Sequence, residues 1–493
     1  MKIIDNFLNK ITMYRLVLYV LIGLVGIATV LAGLKIINYD PWAILFSTSF
    51  ILLISVVSNE IFAKVFEVPA NVESVYITGL ILALIVNPIK STDGLVLLFW
   101  IAILDTASKY ILKLNSKHIF NPAAVAVAIA GLSLHSSASW WVGNASMALP
   151  VAISSLLIVR KIRREEMLGG FMWTVFLLTL GFGLMNNNVW RLFRDLILRS
   201  SLLFFAGVML TEPLTSPTKK NWQFAFGALV GFLFVPQVKF LGYYFTPEQA
   251  LLVGNIFAFI VSPKDRLILK LKEKIKIAPD IYDFIFLANK KINYNPGEYM
   301  EWTMPGENSD ERGNRRYFTL ASSPTENELR IGVKFYENGS SYKKKILEME
   351  EFSIVASQTA GEFLLPENKS EQCVLIAGGI GITPFRSMLK YLTDKQEKRD
   401  LVVIFVNNNP EEVVYKDVLE EAERTLGIKL IYYFTKISGY LSEKNIPELV
   451  PDYKDRQFYI SGPHGMVSNT EEVLEKLGVN KAKIKTDFFP GFA

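Results

Sequence analysis

Charged residues are distributed unevenly along the 493-residue chain. Of its 99 Asp, Glu, Lys and Arg residues, 31 lie in 1–263 and 68 lie in 264–493, whereas seven of the eight Trp lie in the first segment. A long apolar, Trp-rich segment is typical of a membrane domain, and a more charged segment is typical of a soluble one. The sequence therefore predicts a polytopic α-helical membrane domain fused to a C-terminal soluble domain.

The first segment contains ten apolar stretches, several of them near the lower limit of about 17 residues for a membrane-crossing helix. The stretches are 16–38, 42–58, 72–88, 93–108, 119–134, 145–160, 168–186, 195–211, 221–237 and 247–262. Basic residues are concentrated at the N-terminus and after the fourth, sixth and eighth stretches, on the side that the positive-inside rule makes cytoplasmic. We therefore predict about ten spans, an integral membrane location (the inner membrane if the chain is bacterial), and a cytoplasmic N-terminus and soluble domain.

Two polar stretches interrupt this apolar segment: residues 117–124 (KHIFNPAA) and residues 209–220 (MLTEPLTSPTKK). They could be ordinary helix ends, in which Asn121 caps a helix and prolines mark the boundaries. Alternatively, irregular polar backbone at membrane depth could line a cavity for a flavin or a quinone. The side chains predicted to line such a cavity are His118, Asn121, Thr211, Glu212 and Thr215.

The second segment predicts two kinds of β-structure. Short alternating stretches such as residues 330–335 predict an antiparallel β-barrel, and after residue 371 strands alternate with helices, as in an open α/β sheet. The motifs that could bind a cofactor are RYFTLASSP at 316–324, ENGSS at 337–341, AGGIGITP at 377–384, ISGPHGM at 460–466 and the tail DFFPGFA at 487–493. An arginine can hold a pyrophosphate, and glycines between a strand and a helix let the backbone approach one.

The polar stretches of the first segment, with SWWVG at 139–143 and LIVRKIRR at 157–164, resemble one family. It is the family of homologous membrane subunits found in the sodium-pumping NADH:quinone reductase and in the Rnf complex, and the resemblance covers roughly residues 15–262. It implies a flavin, and in one branch a quinone, inside the membrane domain. Members with covalent FMN attach it in a Ser/Thr-Gly-Ala-Thr motif, which this sequence lacks, so a flavin here would bind non-covalently.

The ordered motifs of the second segment look like those of the ferredoxin–NADP⁺ reductase family. The resemblance covers about 264–493 and implies an FAD-binding barrel at 263–368 and an NAD(P)-binding α/β domain at 369–493, after the predicted membrane domain at 1–262. Arg316 would hold the FAD pyrophosphate, Phe318 would stack on the flavin or ribityl region, and Thr319 would contact the isoalloxazine. The other cofactor-binding candidates are Tyr317, Gly339, Ser340, Ser341, Gly378, Gly379, Gly381, Thr383, Gly462, Pro463 and Phe489, and the catalytic candidates are Thr319, Ser461 and Phe489.

The sequence departs from that family's pattern in three places. Phe318 replaces the common Tyr, and Ser461 stands where many members have Cys. Three asparagines, 407–409, follow a predicted strand where NADP-binding members often place Arg. Their presence favours NADH over NADPH, although Lys416 could reach a 2′-phosphate.

We therefore expect a membrane-bound flavoprotein oxidoreductase that takes a hydride from NAD(P)H onto FAD and passes electrons to a flavin, quinone or partner carrier in or across the membrane. Two alternatives remain: an ion-translocating electron-transport subunit, and an NAD(P)H:acceptor reductase merely anchored by its membrane half. Haem is not expected, because His118 and His135 flank the same predicted span and cannot clamp a haem from opposite faces. The single cysteine, Cys373, excludes a four-cysteine iron–sulfur cluster within the chain, and neither a metal site nor a nucleic-acid partner is expected.

Overall fold

The chain divides into two compact units, Met1–Lys264 and Asp265–Ala493. The computed structural model describes residues 8, 11–66, 72–89, 92–114, 117–133, 138–162, 164–240, 242–262, 266–304, 315–336, 339–348, 350 and 353–489.

The first unit is built from apolar helices, and each of the ten apolar stretches of the sequence contains helical residues. In chain order the helices are α1 (Met13–Gly33), α2 (Pro41–Val65), α3 (Val72–Ile85), α4 (Leu95–Ile111), α5 (Pro122–Ser133), α6 (Ala148–Ile162), α7 (Glu165–Met185), α8 (Val189–Leu198), α9 (Leu202–Phe204), α10 (Lys220–Phe234) and α11 (Pro247–Val261). A π-helical turn, Phe205–Met209, follows α9 directly. Two short strands, β1 (Lys113–Leu114) and β2 (Lys117–His118), form an antiparallel pair between α4 and α5.

Three described helices, α1, α2 and α7, are long and apolar enough to cross a membrane by length and composition. The prediction of about ten membrane-spanning helices is therefore wrong. Other helices are too short to cross a membrane: α3 has 14 residues and α5 has 12. At about 1.5 Å per residue they extend about 18–21 Å, whereas the apolar core of a bilayer is about 30 Å thick. The sequence suggested longer spans because apolar residues continue past helix ends into turns, as at Val86 and Ile89 after α3.

Apolar side chains cover the outer faces of these three helices. Val30 on α1, Leu53 on α2 and Trp173 on α7 are each more than 60% exposed. A helix that is apolar on all sides is stable in lipid or inside a protein, and large exposed apolar surfaces are rare on soluble proteins. The outer surface of this unit therefore suits lipid contact.

The second unit begins with a six-stranded antiparallel sheet around its own apolar core. Its strands are β3 (Arg266–Ala278), β4 (Ile281–Ala288), β5 (Tyr299–Thr303), β6 (Arg315–Thr319), β7 (Leu329–Lys334) and β8 (Ser353–Ala360), in the order β6-β5-β8-β3-β4-β7, with helix α12 (Ser341–Glu348) between β7 and β8. Alternate residues of β7, namely Leu329, Ile331 and Val333, are buried, as the alternating sequence predicts. The predicted antiparallel β-structure of this segment is confirmed.

A five-stranded parallel sheet follows, in the order β11-β10-β9-β12-β13. Its elements are β9 (Cys373–Gly378), α13 (Thr383–Asp394), β10 (Leu401–Asn407), α14 (Lys416–Leu426), β11 (Lys429–Phe434), α15 (Thr435–Ser438), α16 (Asn445–Leu449), β12 (Gln457–Pro463), α17 (His464–Lys476) and β13 (Ile484–Phe489). Every residue of β9 and β10 is buried, as expected for central strands with helices on both faces. The predicted α/β domain is confirmed, and its central strands end together at one edge.

Candidate functional site

The turn that joins β9 to α13 is rich in glycine, and Gly378 and Gly381 beside it are tightly packed. Gly379 has a φ of +52°, and a Cβ added there would meet nothing within 4 Å. A Cβ at Gly381 would lie 2.6 Å from the Cα of Gly462 on β12, and one at Gly378 would overlap the sulfur of Met466. Glycine thus brings the two strand–helix turns into backbone contact and leaves open space beside the start of α13, where a pyrophosphate can approach.

Two buried polar side chains flank this turn, one on each of the two strands that pair with β9. Asn407, which ends β10, is 4% exposed, and Ser461 on β12 is 0% exposed. Neither the Asn407 amide nor the Ser461 hydroxyl has a hydrogen-bond partner among the described residues. Leaving such groups unpaired costs about 1–3 kcal/mol each. A ligand that supplies their partners therefore fits this edge of the sheet, as a nicotinamide nucleotide would.

The other nucleotide-site candidates lie beside the same turn. Thr383 begins α13, is 2% exposed, and donates its hydroxyl to the carbonyl of Ile380 at 3.2 Å. Gly462 and Pro463 end β12, and Pro463 Cδ would lie 3.2 Å from a Cβ at Gly378. The structure thus brings the predicted nucleotide-binding residues of two separate motifs together.

Three aromatic and basic side chains meet where β6 passes the start of α12. The Arg316 guanidinium lies 5.3 Å from the ring centroid of Tyr342, and the Phe318 ring lies 5.9 Å from the same ring. Ser340 precedes α12, and its Oγ accepts the Lys343 N–H at 3.4 Å. A guanidinium beside a helix N-terminus fits a pyrophosphate, so this part of the barrel can hold FAD.

The remaining flavin candidates have different surroundings. Thr319 ends β6 and is buried, whereas Tyr317 is 44% exposed and donates its hydroxyl to Glu301 at 2.8 Å. Tyr317 thus lies on the other face of the strand from Arg316 and Phe318, since successive strand residues alternate. The backbone of Phe489 pairs with Pro463 across β12 and β13. The side chains of His118 and Phe489, and the residues 337–338 and 490–493, lie outside the part of the chain that the structure describes.

The loop after β10 is held by side-chain hydrogen bonds. The Thr435 hydroxyl donates to the Asn408 amide oxygen at 3.0 Å, and the Asn409 amide donates to Glu412 at 3.2 Å. Lys416 is paired with Glu420 at 3.5 Å on the exposed face of α14. The loop thus presents amides and a carboxylate, which match a ribose diol better than a phosphate dianion.

The two polar stretches of the first unit come together in the structure, and whether they hold a cofactor stays a prediction. The Asn121 amide and the Thr215 hydroxyl both donate to the Glu212 carboxylate, at 2.9 and 2.8 Å. Asn255 on α11 accepts the Asn121 backbone N–H at 2.9 Å and donates to the Thr215 carbonyl at 3.0 Å. Thr211 donates instead to the carbonyl of Gly207 in the π-turn. A connected polar cluster therefore joins α5, α11 and the segment after the π-turn, and Asn121 also caps α5 through Ala124.

A pocket of about 620 Å³ opens beyond the C-terminal end of α5 and the N-terminal end of α9. The SWWVG motif forms one wall, and Trp140 in it has a φ of +52°, which is unusual for a bulky residue. Trp141 donates its indole N–H to the Ala83 carbonyl at 2.9 Å and packs 5.0 Å from Tyr39. The pocket is lined by residues 36–39, 139–141, 143–146 and 199–201. Aromatic rings beside Arg199 suit a planar ligand with acceptor oxygens.

A buried ion pair lies between α3 and α4. Asp105 is 0% exposed, and its carboxylate lies 3.3 Å from Lys109 Nζ and accepts the Thr78 hydroxyl at 2.7 Å. Lys109 also donates to the Thr78 hydroxyl oxygen and to the Ser74 carbonyl. The structure thus buries Asp105 with a cationic partner on the same helix.

Lys109→Ala is expected to lower the free energy of unfolding by about 3–5 kcal/mol, because the Asp105 carboxylate would stay buried without its cation. The measurement is denaturant unfolding of the detergent-solubilised chain, with the exposed Lys64→Ala on α2 as the control. Replacing both partners, Asp105→Leu with Lys109→Met, should restore much of the loss. Equal stability of Lys109→Ala and the control would contradict the expectation.

Sequence reasoning missed several residues of these sites. Tyr342 follows a predicted phosphate-binding turn, and its aromatic ring could have been noticed as a partner for Arg316. Asn407 was recognised only as part of an asparagine run, not as a buried unpaired amide. Asn255 sits inside an apolar stretch, and a lone amide there was the available signal.

Cys373 is a core residue at the start of β9. Burial raises the pKa of its thiol to about 11, so it carries little thiolate at neutral pH and is not a nucleophile candidate. Among the described residues, no group of three or more His, Cys, Asp or Glu side chains could hold a metal ion.

Residues 375–472 match the family model described as an oxidoreductase NAD-binding domain. The chain is 25% identical over 232 residues to Flavohemoprotein A of Dictyostelium discoideum, covering 44% of this chain and 58% of that protein. It is 26% identical over 234 residues to a stachydrine N-demethylase reductase subunit of Rhizobium meliloti, covering 44% of this chain and 65% of that protein. A solved structure, the Flavohem-like FAD/NAD binding domain of nitric oxide dioxygenase from Vibrio cholerae, is similar at 21% identity and a TM-score of 0.38, covering 45% of this chain and 98% of that one.

The chain thus spans less than two thirds of the length of these curated relatives. The family model thus shows an oxidoreductase NAD-binding domain in residues 375–472, and the C-terminal half is similar in sequence to flavohemoproteins and to a demethylase reductase subunit. The resemblance of the first unit to membrane subunits stays a prediction.

Proposed function

We propose that this protein is a membrane-bound flavoprotein oxidoreductase that takes a hydride from NAD(P)H onto FAD and passes electrons to an acceptor in or across the membrane. The observation that carries the proposal is the glycine turn flanked by two buried, unpartnered polar side chains, Asn407 and Ser461, at one edge of the parallel sheet. FAD, when bound, supplies the chemistry of accepting two electrons with a hydride and releasing them singly.

The residues of the chain have separate tasks in this proposal. Arg316 and the N-terminus of α12 hold the FAD pyrophosphate, with Phe318 and Tyr342 packed beside it. Thr319 is placed to donate to the flavin ring. The glycine turn and Asn407 hold the nicotinamide nucleotide, and Ser461 lies at the nicotinamide end. Because both turns are fixed by backbone packing, binding costs little reorganisation.

The first unit supplies the membrane location and an acceptor site. Three apolar helices and their exposed outer faces support embedding in lipid, and the basic loops favour a cytoplasmic N-terminus and flavin module. A mere anchor requires neither the Asn121–Glu212 cluster nor the pocket beside Trp140. We infer that the pocket takes a planar electron acceptor of the quinone or non-covalent flavin class.

The test compares two electron acceptors with the detergent-solubilised full chain. NADH oxidation would be measured with ferricyanide, which accepts electrons directly from an exposed flavin, and with a short-chain quinone. Trp140→Ala should lower the quinone-linked rate by about tenfold and leave the ferricyanide rate unchanged, since one buried aromatic contact contributes about 0.5–1.5 kcal/mol. Trp190→Ala, an exposed Trp on α8, is the matched control. No pyridine-nucleotide oxidation with either acceptor would contradict the whole proposal, and equal rates in both variants would contradict the pocket.

The loop after β10 predicts a preference for NADH. We expect kcat/KM for NADH to exceed that for NADPH by about tenfold or more, because the 2′-phosphate would meet the Glu412 carboxylate without an arginine to pair it. Asn409→Arg should raise kcat/KM for NADPH, and Lys416→Gln should change it little because Lys416 is paired with Glu420. If the enzyme instead prefers NADPH and Lys416→Gln abolishes that preference, Lys416 binds the 2′-phosphate.

A further inference from the structure

A buried contact network joins the FAD-binding barrel to the first turn of α13. The Arg386 guanidinium makes two parallel bonds to the Glu326 carboxylate, at 2.8 and 3.1 Å, and donates to the Ala321 carbonyl at 2.7 Å. Beside it, the Ser387 hydroxyl donates to the Ser322 carbonyl at 2.6 Å. We call the Arg386–Glu326 pair with its Ala321 bond the interdomain clamp.

The clamp is charged, with Arg386 buried and the Glu326 side chain 18% exposed. Arg386 is 4% exposed, and Ser322 and Ser387 are 0% exposed. Burial alone would raise the pKa of Glu326, but the hydrogen bonds and charge of Arg386 outweigh it and hold that pKa below its usual value. A carboxyl with a lowered pKa contributes stability above its unfolded pKa of about 4.3 that is lost as pH falls through the folded value. The clamp is therefore ionised and intact at neutral pH.

A second contact supports the clamp from the next helix. Tyr415, at the N-terminus of α14, donates its hydroxyl to the buried Asp283 of β4 at 2.9 Å. Its backbone is left-handed, with a φ of +55°, and the Arg386 guanidinium lies 5.3 Å from its ring centroid. Asp283 is also bound by Arg330 at 3.1 Å. The starts of α13 and α14 are thus both tied to the antiparallel sheet domain by charged hydrogen bonds: α13 to the segment between β6 and β7, and α14 to β4.

The position of the clamp in the chain connects the two cofactor sites. Ala321 is two residues after Thr319, at the flavin side, and Arg386 is three residues after Thr383, at the end of the nucleotide turn. A movement at the clamp therefore shifts the segment beside the flavin relative to the turn that holds the nicotinamide nucleotide. A misplacement of about 1 Å between reacting groups can lower a rate about 100-fold without removing any binding contact.

We propose that Arg386 and Glu326 are positioning residues that set the distance between the nicotinamide and the flavin ring for hydride transfer. The inference rests on the proposed function, because it assumes that both cofactors bind where the residues predict. A purely structural ion pair would lower stability and leave the rate of flavin reduction in the folded enzyme unchanged. A positioning pair lowers the limiting rate of that step and leaves NADH affinity nearly unchanged.

The first variant, Glu326→Gln, keeps the shape of the side chain but loses its charge. The second, Arg386→Lys, keeps the positive charge but loses the two parallel hydrogen bonds of the guanidinium. Tyr415→Phe removes only the hydroxyl bond to Asp283. Lys369→Gln breaks an exposed pair with Glu397 on the same unit and is the control. Flavin reduction of the full-length holoenzyme would be followed anaerobically by stopped flow over a range of NADH concentrations, with NADH and with its 4-deuterated form, after FAD content is measured.

We expect Glu326→Gln and Arg386→Lys to lower the limiting rate of flavin reduction at least about tenfold. The reduction should still show a deuterium isotope effect. The NADH dissociation constant should stay within about threefold of the wild-type value. Tyr415→Phe should give a smaller loss, and Lys369→Gln none. Unchanged limiting rates in Glu326→Gln with full FAD content would overturn the proposal, as would a weaker NADH affinity with an unchanged limiting rate. If Arg386→Lys fails to fold, Glu326→Gln and Tyr415→Phe decide the result. Wild-type flavin that neither NADH nor NADPH reduces would instead overturn the proposed function itself.

Discussion

Arg316→Ala is expected to yield a folded chain that binds FAD about 10- to 150-fold more weakly, because a charge-assisted hydrogen bond to the pyrophosphate contributes about 1.5–3 kcal/mol. The Arg316 side chain lies on the same face of β6 as Phe318, beside Tyr342 and the start of α12. No other guanidinium of β6 faces that helix, since Arg315 lies on the opposite face of the strand. The measurement is the FAD dissociation constant of the apo-protein, followed by quenching of flavin fluorescence.

Arg315→Ala is the matched control, because it removes the same charge from the adjacent residue. Arg315 lies 3.9 Å from Glu301 and should contribute little to FAD binding. The NADH dissociation constant of any FAD-loaded Arg316→Ala should stay near that of wild type. Equal losses of FAD affinity in both variants would show a general effect of charge and would contradict the assignment of Arg316.

Gly381→Ala is expected to lower kcat/KM for NADH by about 100-fold or more while FAD content stays near one per chain. A Cβ at this position would lie 2.6 Å from the Cα of Gly462 and would overlap the carbonyl oxygen of Ser461. Both are backbone atoms of a central strand, so the turn must move away from β12, at an overpacking cost of about 1–3 kcal/mol. The displacement would open the nucleotide site, which lies on a different segment from the Arg316 cluster at the start of α12.

Gly181→Ala on α7 is the control for this substitution, because a Cβ there meets nothing within 4 Å and lies in the other unit. It should keep full activity. Steady-state kinetics with ferricyanide would give kcat/KM, and acid-extracted flavin would give FAD content. Normal NADH kinetics in Gly381→Ala would mean that the turn does not hold the nucleotide.

The elements of the second unit were predictable because short local sequence patterns determine them. A run of buried residues that ends in Gly378, Gly379 and Gly381 determines a strand, a tight turn and a helix within a dozen residues. The alternation in β7 determines which side chains enter the barrel core. Contacts between distant segments were not predictable, because nothing near Glu326 in the sequence shows that Arg386 will meet it 60 residues later.

The first unit was predictable in composition and less so in geometry. Asn121 and Glu212 were singled out because polar residues are costly among apolar helices, and the structure places them in one hydrogen-bonded cluster. The number of spans was overestimated, because hydropathy alone does not show where a helix ends. Asp105 and Lys109 are spaced to pair on one helix, but their burial depends on how α3 packs against α4.

The measurement that tests the central claim most directly is the flavin content and reducibility of the purified full-length chain. Flavin would be extracted with acid and identified as FAD, FMN or riboflavin, and the intact protein would then be titrated anaerobically with NADH while the flavin absorbance is recorded. We predict one FAD per chain that is bleached by about one equivalent of NADH, with any further flavin assigned to the first unit. A preparation that binds no FAD, or whose FAD neither NADH nor NADPH reduces, would contradict the account.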